Sequence, residues 1–370
     1  MIIRRSGKTL LVFGAIFSAL LILFFVPQTG IKEKSTKIVN DLLASKKNET
    51  DKPTWNDDKY YFQVNLPQYE LPQFGKVELA AAPQNYKGPG GETIATFYAS
   101  RDADMHDPYF LAAQQIVYRV LWNPRTKTTK YPMTVFVTPF ISQEQRDFFI
   151  GAGAIVREVP LRPFVPTEAG AAGRLKDMFT KLEMWYQRDF KRIAYLDSDA
   201  FPVDHIDSIF DLVPWQMCKK ELLPEGDRSV ADDICKYSFG GWKDYDGINA
   251  GVMVFNPNEA MFGRLVRESL NQSNFNNGLM EQSLLQYTYN PEGPFPPSTL
   301  SHEWNAGGDM TASGQHQYIL HSKIWNTGFE AHDTWYYNEF KHMWQDMIDW
   351  YKTDQFLTAR RESGPKSVWE

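Results

Sequence analysis

The sequence predicts an α/β fold with a mostly parallel central sheet, preceded by an N-terminal transmembrane helix. Three observations lead there. Apolar segments of strand length alternate with segments of helical period from residue 93 onward, which is the pattern of a sheet covered by helices. One apolar strand near mid-chain ends in two aspartates a single residue apart, and ligands of such folds sit at the carboxyl ends of strands. The N-terminus carries a long uncharged stretch.

That stretch runs from Thr9 to Ile31, and Leu10 to Val26 is unbroken apolar sequence. As a helix the apolar run spans roughly 25 Å, close to the thinner early-secretory bilayer. Arg4, Arg5 and Lys8 precede it without an acidic neighbour, which favours a cytoplasmic N-terminus. Lys32, Lys34 and Lys37 follow it, offset by Glu33 alone. A cleaved signal peptide is the competing reading, but Pro27-Gln28-Thr29-Gly30 offers no small-x-small cleavage site. The expected order is therefore a cytoplasmic tail (1–8), a signal anchor (9–27), a luminal stem (28–92), a main domain (93–352) and a C-terminal tail (353–370). The stem is rich in Lys, Asn, Asp, Gln and Pro, with little apolar periodicity. Asn48 and Asn271 head glycosylation sequons.

In the main domain, strands are expected at Thr93–Ala99, Thr134–Thr138, Ala154–Val159, Arg192–Leu196 and Gly251–Asn256. Helices are expected at Phe110–Trp122, Gln143–Ile150 and Arg174–Asp189. In the last of these, Met178, Leu182, Trp185 and Tyr186 fall at i, i+4, i+7 and i+8. Gln216–Asp246 reads as a long insertion of mixed charge that holds both cysteines, Cys218 and Cys235. No C-x-x-C pair exists, which argues against structural zinc. A bridge between the two cysteines and two free thiols are equally open from sequence.

A net charge of −6 argues against general nucleic-acid binding, which needs a basic face. It does not exclude a nucleotide-sized ligand, because one divalent cation neutralises a diphosphate. The candidate for holding that cation is Asp197-Ser198-Asp199, directly after the apolar strand Ile193–Leu196. Two carboxylates there suit Mg²⁺ or Mn²⁺, which take oxygen ligands and keep positions open for phosphate oxygens. Haloacid-dehalogenase-like phosphatases also carry Asp-x-Asp after a strand. They usually place Thr or Val two residues beyond the last Asp, near the start of the domain; here Phe201 stands there, about halfway along the chain.

Further motifs follow in order. Thr180-Lys181-Leu182 with Trp185 precedes the acidic pair. Asn249-Ala250-Gly251 opens a buried strand, where Gly251 would let a ligand approach the backbone. Glu281-Gln282 begins a helix, Trp304-Asn305 follows, and His321-Ser322-Lys323 comes after the short strand Tyr318–Leu320. Taken together over roughly residues 93–330, this set resembles glycosyltransferase family 8, the glycogenin-like retaining transferases. The anchored layout is similar to that of fungal Golgi N-acetylglucosaminyltransferases.

The resemblance implies a GT-A fold, a UDP-sugar donor, Mn²⁺ (or Mg²⁺) and a glycan acceptor, possibly N-linked. It implies metal ligation by Asp197, Asp199 and His321. It places Phe97, Tyr98, Ala99, Lys181, Ser198, Asn249, Ala250, Gly251 and Lys323 around the donor, with Glu281 and Gln282 at the reacting sugar. Glu281 stands where the family usually has Asp, and the His321-to-Lys323 spacing is shorter than usual. The expected protein is a Golgi, single-pass type II transferase with a luminal catalytic domain. N-acetylglucosamine is the expected sugar; glucose, galactose, mannose or a non-catalytic glycan-binding role are the alternatives.

Overall fold

The computed structural model describes residues 55–56, 64–74, 79–162, 164–167, 171–245, 247–307, 314–325 and 334–363. The anchor expected at 9–27, the tail before it and the Asn48 sequon lie outside the described residues. Among the described residues, no helix is long and apolar enough to cross a membrane.

The strands in chain order are β1 (Trp55–Asn56), β2 (Glu92–Tyr98), β3 (Met133–Val137), β4 (Ile155–Glu158), β5 (Ala171–Ala172), β6 (Arg192–Leu196), β7 (Ala200–Pro202), β8 (Gln216–Met217), β9 (Lys236–Tyr237), β10 (Phe239–Asp244), β11 (Gly247–Phe255), β12 (Ser298–Leu300) and β13 (Ile319–His321). One sheet of seven runs in the order β12-β10-β11-β6-β2-β3-β4. Its β12–β10, β6–β2, β2–β3 and β3–β4 pairings are parallel, and its two β11 pairings are antiparallel. The mostly parallel sheet agrees with the sequence pattern.

Alternation within the strands divides the core between two faces. Ile94, Tyr98, Val135, Val137, Ala194, Leu196, Val252 and Val254 point to one face, where the Pro108–Leu121 and Thr334–Tyr351 helices pack. Ala95, Phe97, Phe136, Ile193, Tyr195, Met253 and Phe255 point to the other, beneath Met178–Tyr186 and the Met280–Thr288 helix. Burial on both faces explains why these strands read as continuous apolar runs.

Three expectations need correction. Arg174–Asp189 is two 3₁₀ stretches, Gly173–Leu175 and Met178–Tyr186, rather than an α-helix. Three residues per turn aligns Phe179, Leu182 and Trp185 in one buried row and Met178 with Lys181 in the next. The predicted α pattern would have buried Tyr186, which is 42% exposed. Second, the end of the supposed insertion is β10, which hairpins onto β11 within the main sheet. The Cys218–Cys235 disulfide closes the preceding segment beside the β8–β9 pairing.

Third, packing extends past both expected ends of the main domain. Tyr69, assigned to the stem, packs edge-on against Phe340 and Trp344. In the expected C-terminal tail, the Asp354–Glu362 helix buries Arg360, which donates to the carbonyls of Gly151 and Ala82.

Candidate functional site

The site forms where β6 ends. The chain turns through Asp197-Ser198-Asp199 into β7, which pairs antiparallel with β13. That pairing sets Ala200 opposite His321, so a histidine 122 residues away in sequence reaches Asp199. The register is closed by two backbone bonds: Ser322 N–H donates to Asp199 O (3.0 Å) and His321 N–H to Ala306 O (2.8 Å). Asp197, Asp199 and His321 converge so that one ligand atom from each lies within 4.8 Å of the others.

The hydrogen bonds decide which atoms face the centre. Asp197 Oδ1 accepts from Tyr195 Oη (2.5 Å) and Lys181 Nζ (2.7 Å), while its Oδ2 lies 4.0 Å from His321 Nε2. Asp199 Oδ2 accepts from Lys323 Nζ (2.9 Å), and its Oδ1 lies 3.1 Å from His321 Nε2. Each carboxylate thus gives one oxygen to a protein cation and turns the other toward the imidazole.

The orientation of His321 follows from a backbone donor. Gly251 N–H donates to Asn249 Oδ1 at 2.8 Å, which identifies that atom as the amide oxygen. Asn305 Nδ2 therefore donates to it (3.0 Å), and Asn305 Oδ1 must face His321 Nδ1 (2.7 Å) as an acceptor. Nδ1 thus keeps its proton in either state of the ring; without a cation Nε2 faces Asp199 as a protonated donor, and loss of that proton would free its lone pair for a metal. Outer partners of this kind set the tautomer of metal-binding histidines. Two carboxylate oxygens and one imidazole lone pair form a donor set suited to a divalent cation, so the residues fit the metal that the resemblance implies.

Charge is tightly coupled here. Burial pushes the Asp199 carboxyl up, but His321 and Lys323 outweigh it and hold the group well below the carboxylate range. Burial alone would lower His321; facing Asp199, it is raised instead. Lys181 is buried, yet Asp197 and Glu281 hold its pKa well above the ordinary value. Glu281 accepts from Lys181 Nζ at 2.8 Å. Burial nevertheless raises its pKa, because one ammonium serves two carboxylates and Glu281 is the more buried. Met280 precedes it with φ of 57°, a conformation that side-chain-bearing residues rarely adopt and that clusters at functional sites.

A cavity of about 360 Å³ adjoins these groups. It is lined by Phe97, Tyr98, Ala99, Lys181, Asp197, Ser198, Asp199, Glu281, Gln282, His321 and Lys323, which come from five separate segments, all of them expected at the site from sequence. Asn249 instead borders a neighbouring cavity. Ala250 is buried, its N–H donating to Gln282 Oε1 at 3.0 Å. Gly251 departs from its expected role: a Cβ there would lie 2.0 Å from His321 Cε1, so its missing side chain makes room for the imidazole.

Two further residues have roles that the sequence does not assign. Tyr195 reads as a core position of an apolar strand, although its hydroxyl reaches Asp197. Asn305 belongs to the Trp304-Asn305 pair, but its bond to His321 has no local sequence signal. Asn271 is exposed beside the Gln272–Asn274 turn, as an acceptor asparagine must be.

No family model matches the chain. It is similar to an uncharacterised protein of Schizosaccharomyces pombe, 23% identical over 307 residues that cover 71% of this chain and 81% of the relative. It is also similar to galactinol synthase 7 of Arabidopsis thaliana, 30% identical over 158 residues that cover 39% of this chain and 48% of that enzyme. Among solved structures, apo mouse xyloside xylosyltransferase 1 aligns with a TM-score of 0.41 and 13% identity, covering 63% of this chain and 97% of that one. By sequence, the chain is a relative of glycosyltransferases.

Proposed function

We propose that this chain is a metal-dependent glycosyltransferase that moves a sugar from a UDP-sugar to a glycan hydroxyl with retention of configuration. The observation that carries the reading is the convergence of Asp197, Asp199 and His321 beside a cavity that also holds Lys181, Lys323, Glu281 and Gln282. The similarity to galactinol synthases supports the enzyme class.

Asp197 Oδ2, Asp199 Oδ1 and His321 Nε2 would hold the cation, best read as Mn²⁺ or Mg²⁺. When bound, it supplies Lewis-acid stabilisation of the negative charge that grows on a leaving diphosphate. Lys323 adds a second positive charge at the same edge of the cavity. Phe97, Tyr98 and Ala99, at the carboxyl end of β2, stand where a nucleoside base would be held. Lys181 fixes Asp197 and Glu281 relative to each other, which pre-orients a carboxylate toward positive charge developing on the sugar ring. The acceptor oxygen forms a bond to the anomeric carbon as the bond to UDP breaks, and the hydroxyl proton leaves with the diphosphate.

N-acetylglucosamine is the proposed sugar, on the resemblance of the anchored layout. The relatives named for galactinol favour galactose as a second reading. The uncharged stretch from Thr9 to Ile31 supports a type II protein of the Golgi membrane, and the Cys218–Cys235 bridge suits an oxidising lumen.

Asp199→Ala tests the site. It is expected to cut Mn²⁺-dependent transfer and donor hydrolysis by roughly 100-fold or more, and chelation of metal should do the same to the unmodified protein. Near-unchanged rates in the variant with metal present would overturn the assignment.

A further inference from the structure

His321 borders two cavities. The second is larger, about 720 Å³, and has Asn249 and Asn305 on its wall beside His321, where the first has Asp197, Asp199 and Lys323. Trp242, Asp244, Tyr245, Asn249 and His302 are on its wall. Its chemistry differs from that of the first cavity. Aromatic faces stand beside a carboxylate and an amide, and Lys243 and Asp244 balance each other in charge. A phosphate would find no excess of cations there. An uncharged ring bearing many hydroxyls would find both of its needs met: an aromatic face for its C–H surface and polar groups for its hydroxyls.

Trp242 is held for such contact. The β10–β11 register shifts between Gly241 and Lys243, while Trp242 remains paired with Leu300 of β12. Such a bulge turns the side chain away from its regular direction. Its ring lies nearly parallel to His302, with centroids 4.5 Å apart and 18° between planes. One face is thereby backed by a second ring, and little ordering remains to be done when a ligand arrives. At the adjoining hairpin tip, Tyr245 is fully exposed.

We infer that this second cavity is the acceptor subsite, and that it takes the neutral, hydroxyl-rich ring of a carbohydrate stacked on Trp242. The inference rests on the transferase reading above, which sets the donor in the first cavity. His321 then stands between donor and acceptor, and its position limits which acceptor hydroxyl reaches the anomeric carbon.

The experiment uses the full chain with Mn²⁺ and a glycan array of neutral and anionic sugars. Donor hydrolysis and calorimetric UDP binding are measured on the same preparations. The wild type is expected to glycosylate neutral glycans. Trp242→Ala is expected to raise the KM for the preferred glycan about tenfold, with UDP affinity within about twofold of wild type. Trp242→Phe, which keeps an aromatic face, should recover part of the loss. An unchanged acceptor KM in Trp242→Ala overturns the inference. So does transfer restricted to anionic glycans, or donor hydrolysis with transfer to none. Loss of UDP binding in Trp242→Ala also overturns it, because the tryptophan would then be structural. Absence of Mn²⁺-dependent UDP binding in the wild type instead sinks the transferase reading itself.

Discussion

Gly251→Ala puts the geometry of the proposed metal site under the most direct test. The added Cβ would lie 2.0 Å from His321 Cε1, 2.7 Å from Nδ1 and 2.9 Å from Nε2. To regain a carbon contact of about 3.5 Å, the ring must retreat by roughly 1.5 Å. Metal–ligand lengths tolerate only about 0.2 Å, so a retreat of that size removes His321 from any shared centre. It also breaks the 2.7 Å bond from Nδ1 to Asn305. Overpacking of this kind costs roughly 1–3 kcal/mol of stability. Mn²⁺ affinity, measured calorimetrically with UDP present, is expected to fall by at least roughly 100-fold. The cost should depend on the imidazole. In a His321→Ala background the clash partner is gone, and Gly251→Ala is expected to cost less than about 0.5 kcal/mol in urea denaturation. Wild-type Mn²⁺ affinity in Gly251→Ala, or an equal stability cost in both backgrounds, would refute the reasoning.

Two more outcomes follow from the same contacts. Asn305→Ala leaves His321 Nδ1 without its acceptor and is expected to weaken Mn²⁺ binding roughly 10–100-fold, whereas Asn305→Asp, which keeps an acceptor, should lose less; equal losses in a calorimetric titration would count against the tautomer argument. Asp107 caps the Pro108–Leu121 helix by accepting from Phe110 N–H, and burial raises its pKa to about 6. Because the folded value lies above the unfolded one of about 3.9, its stabilising contribution is present below about pH 4 and lost as pH rises through about 6. Asp107→Asn keeps the cap without the buried charge. It is expected to exceed wild type by up to about 3 kcal/mol above pH 7, with the gap closing below pH 4; a gap that does not change with pH in urea denaturation would contradict this.

The sheet and most of its helices were legible because burial leaves a periodic trace. β2, β3 and β6 are buried on both faces and read as apolar runs, and Asp197 and Asp199 were conspicuous because they end such a run. Met178–Tyr186 misled because a 3₁₀ row and an α stripe share positions 182 and 185 and differ in where Tyr186 falls. β10 was missed because Gly240 and Gly241 look like a loop. A Cβ at Gly240 would meet Ser298 O and Val213 Cγ2, each at 2.9 Å, so close packing of β12 and Val213 demands glycine inside this strand. The contacts of Tyr195 and Asn305 were hidden for different reasons. Tyr195 lies only two residues before Asp197, but an aromatic residue in an apolar strand reads as core; Asn305 meets Asn249 and His321 only because the fold brings them together. Gly251 carried a true signal with the wrong object: a glycine before a buried strand marks a close approach, but sequence does not say what approaches.

Charge balance ties the site together. Three carboxylates, Asp197, Asp199 and Glu281, face two ammonium groups, Lys181 and Lys323. With His321 neutral, this leaves one negative charge in a partly buried pocket, where electrostatic repulsion of a diphosphate is strengthened. Lys181 does not relieve it, because both of its bonds already go to carboxylates. A divalent cation on Asp197, Asp199 and His321 turns that single negative charge into a single positive one. On the proposed reading, this charge balance would by itself make diphosphate binding depend on the metal. The same sum explains the Asn249–Asn305 relay. A histidine held with its proton on Nδ1 adds a ligand without adding a positive charge that would repel the incoming cation.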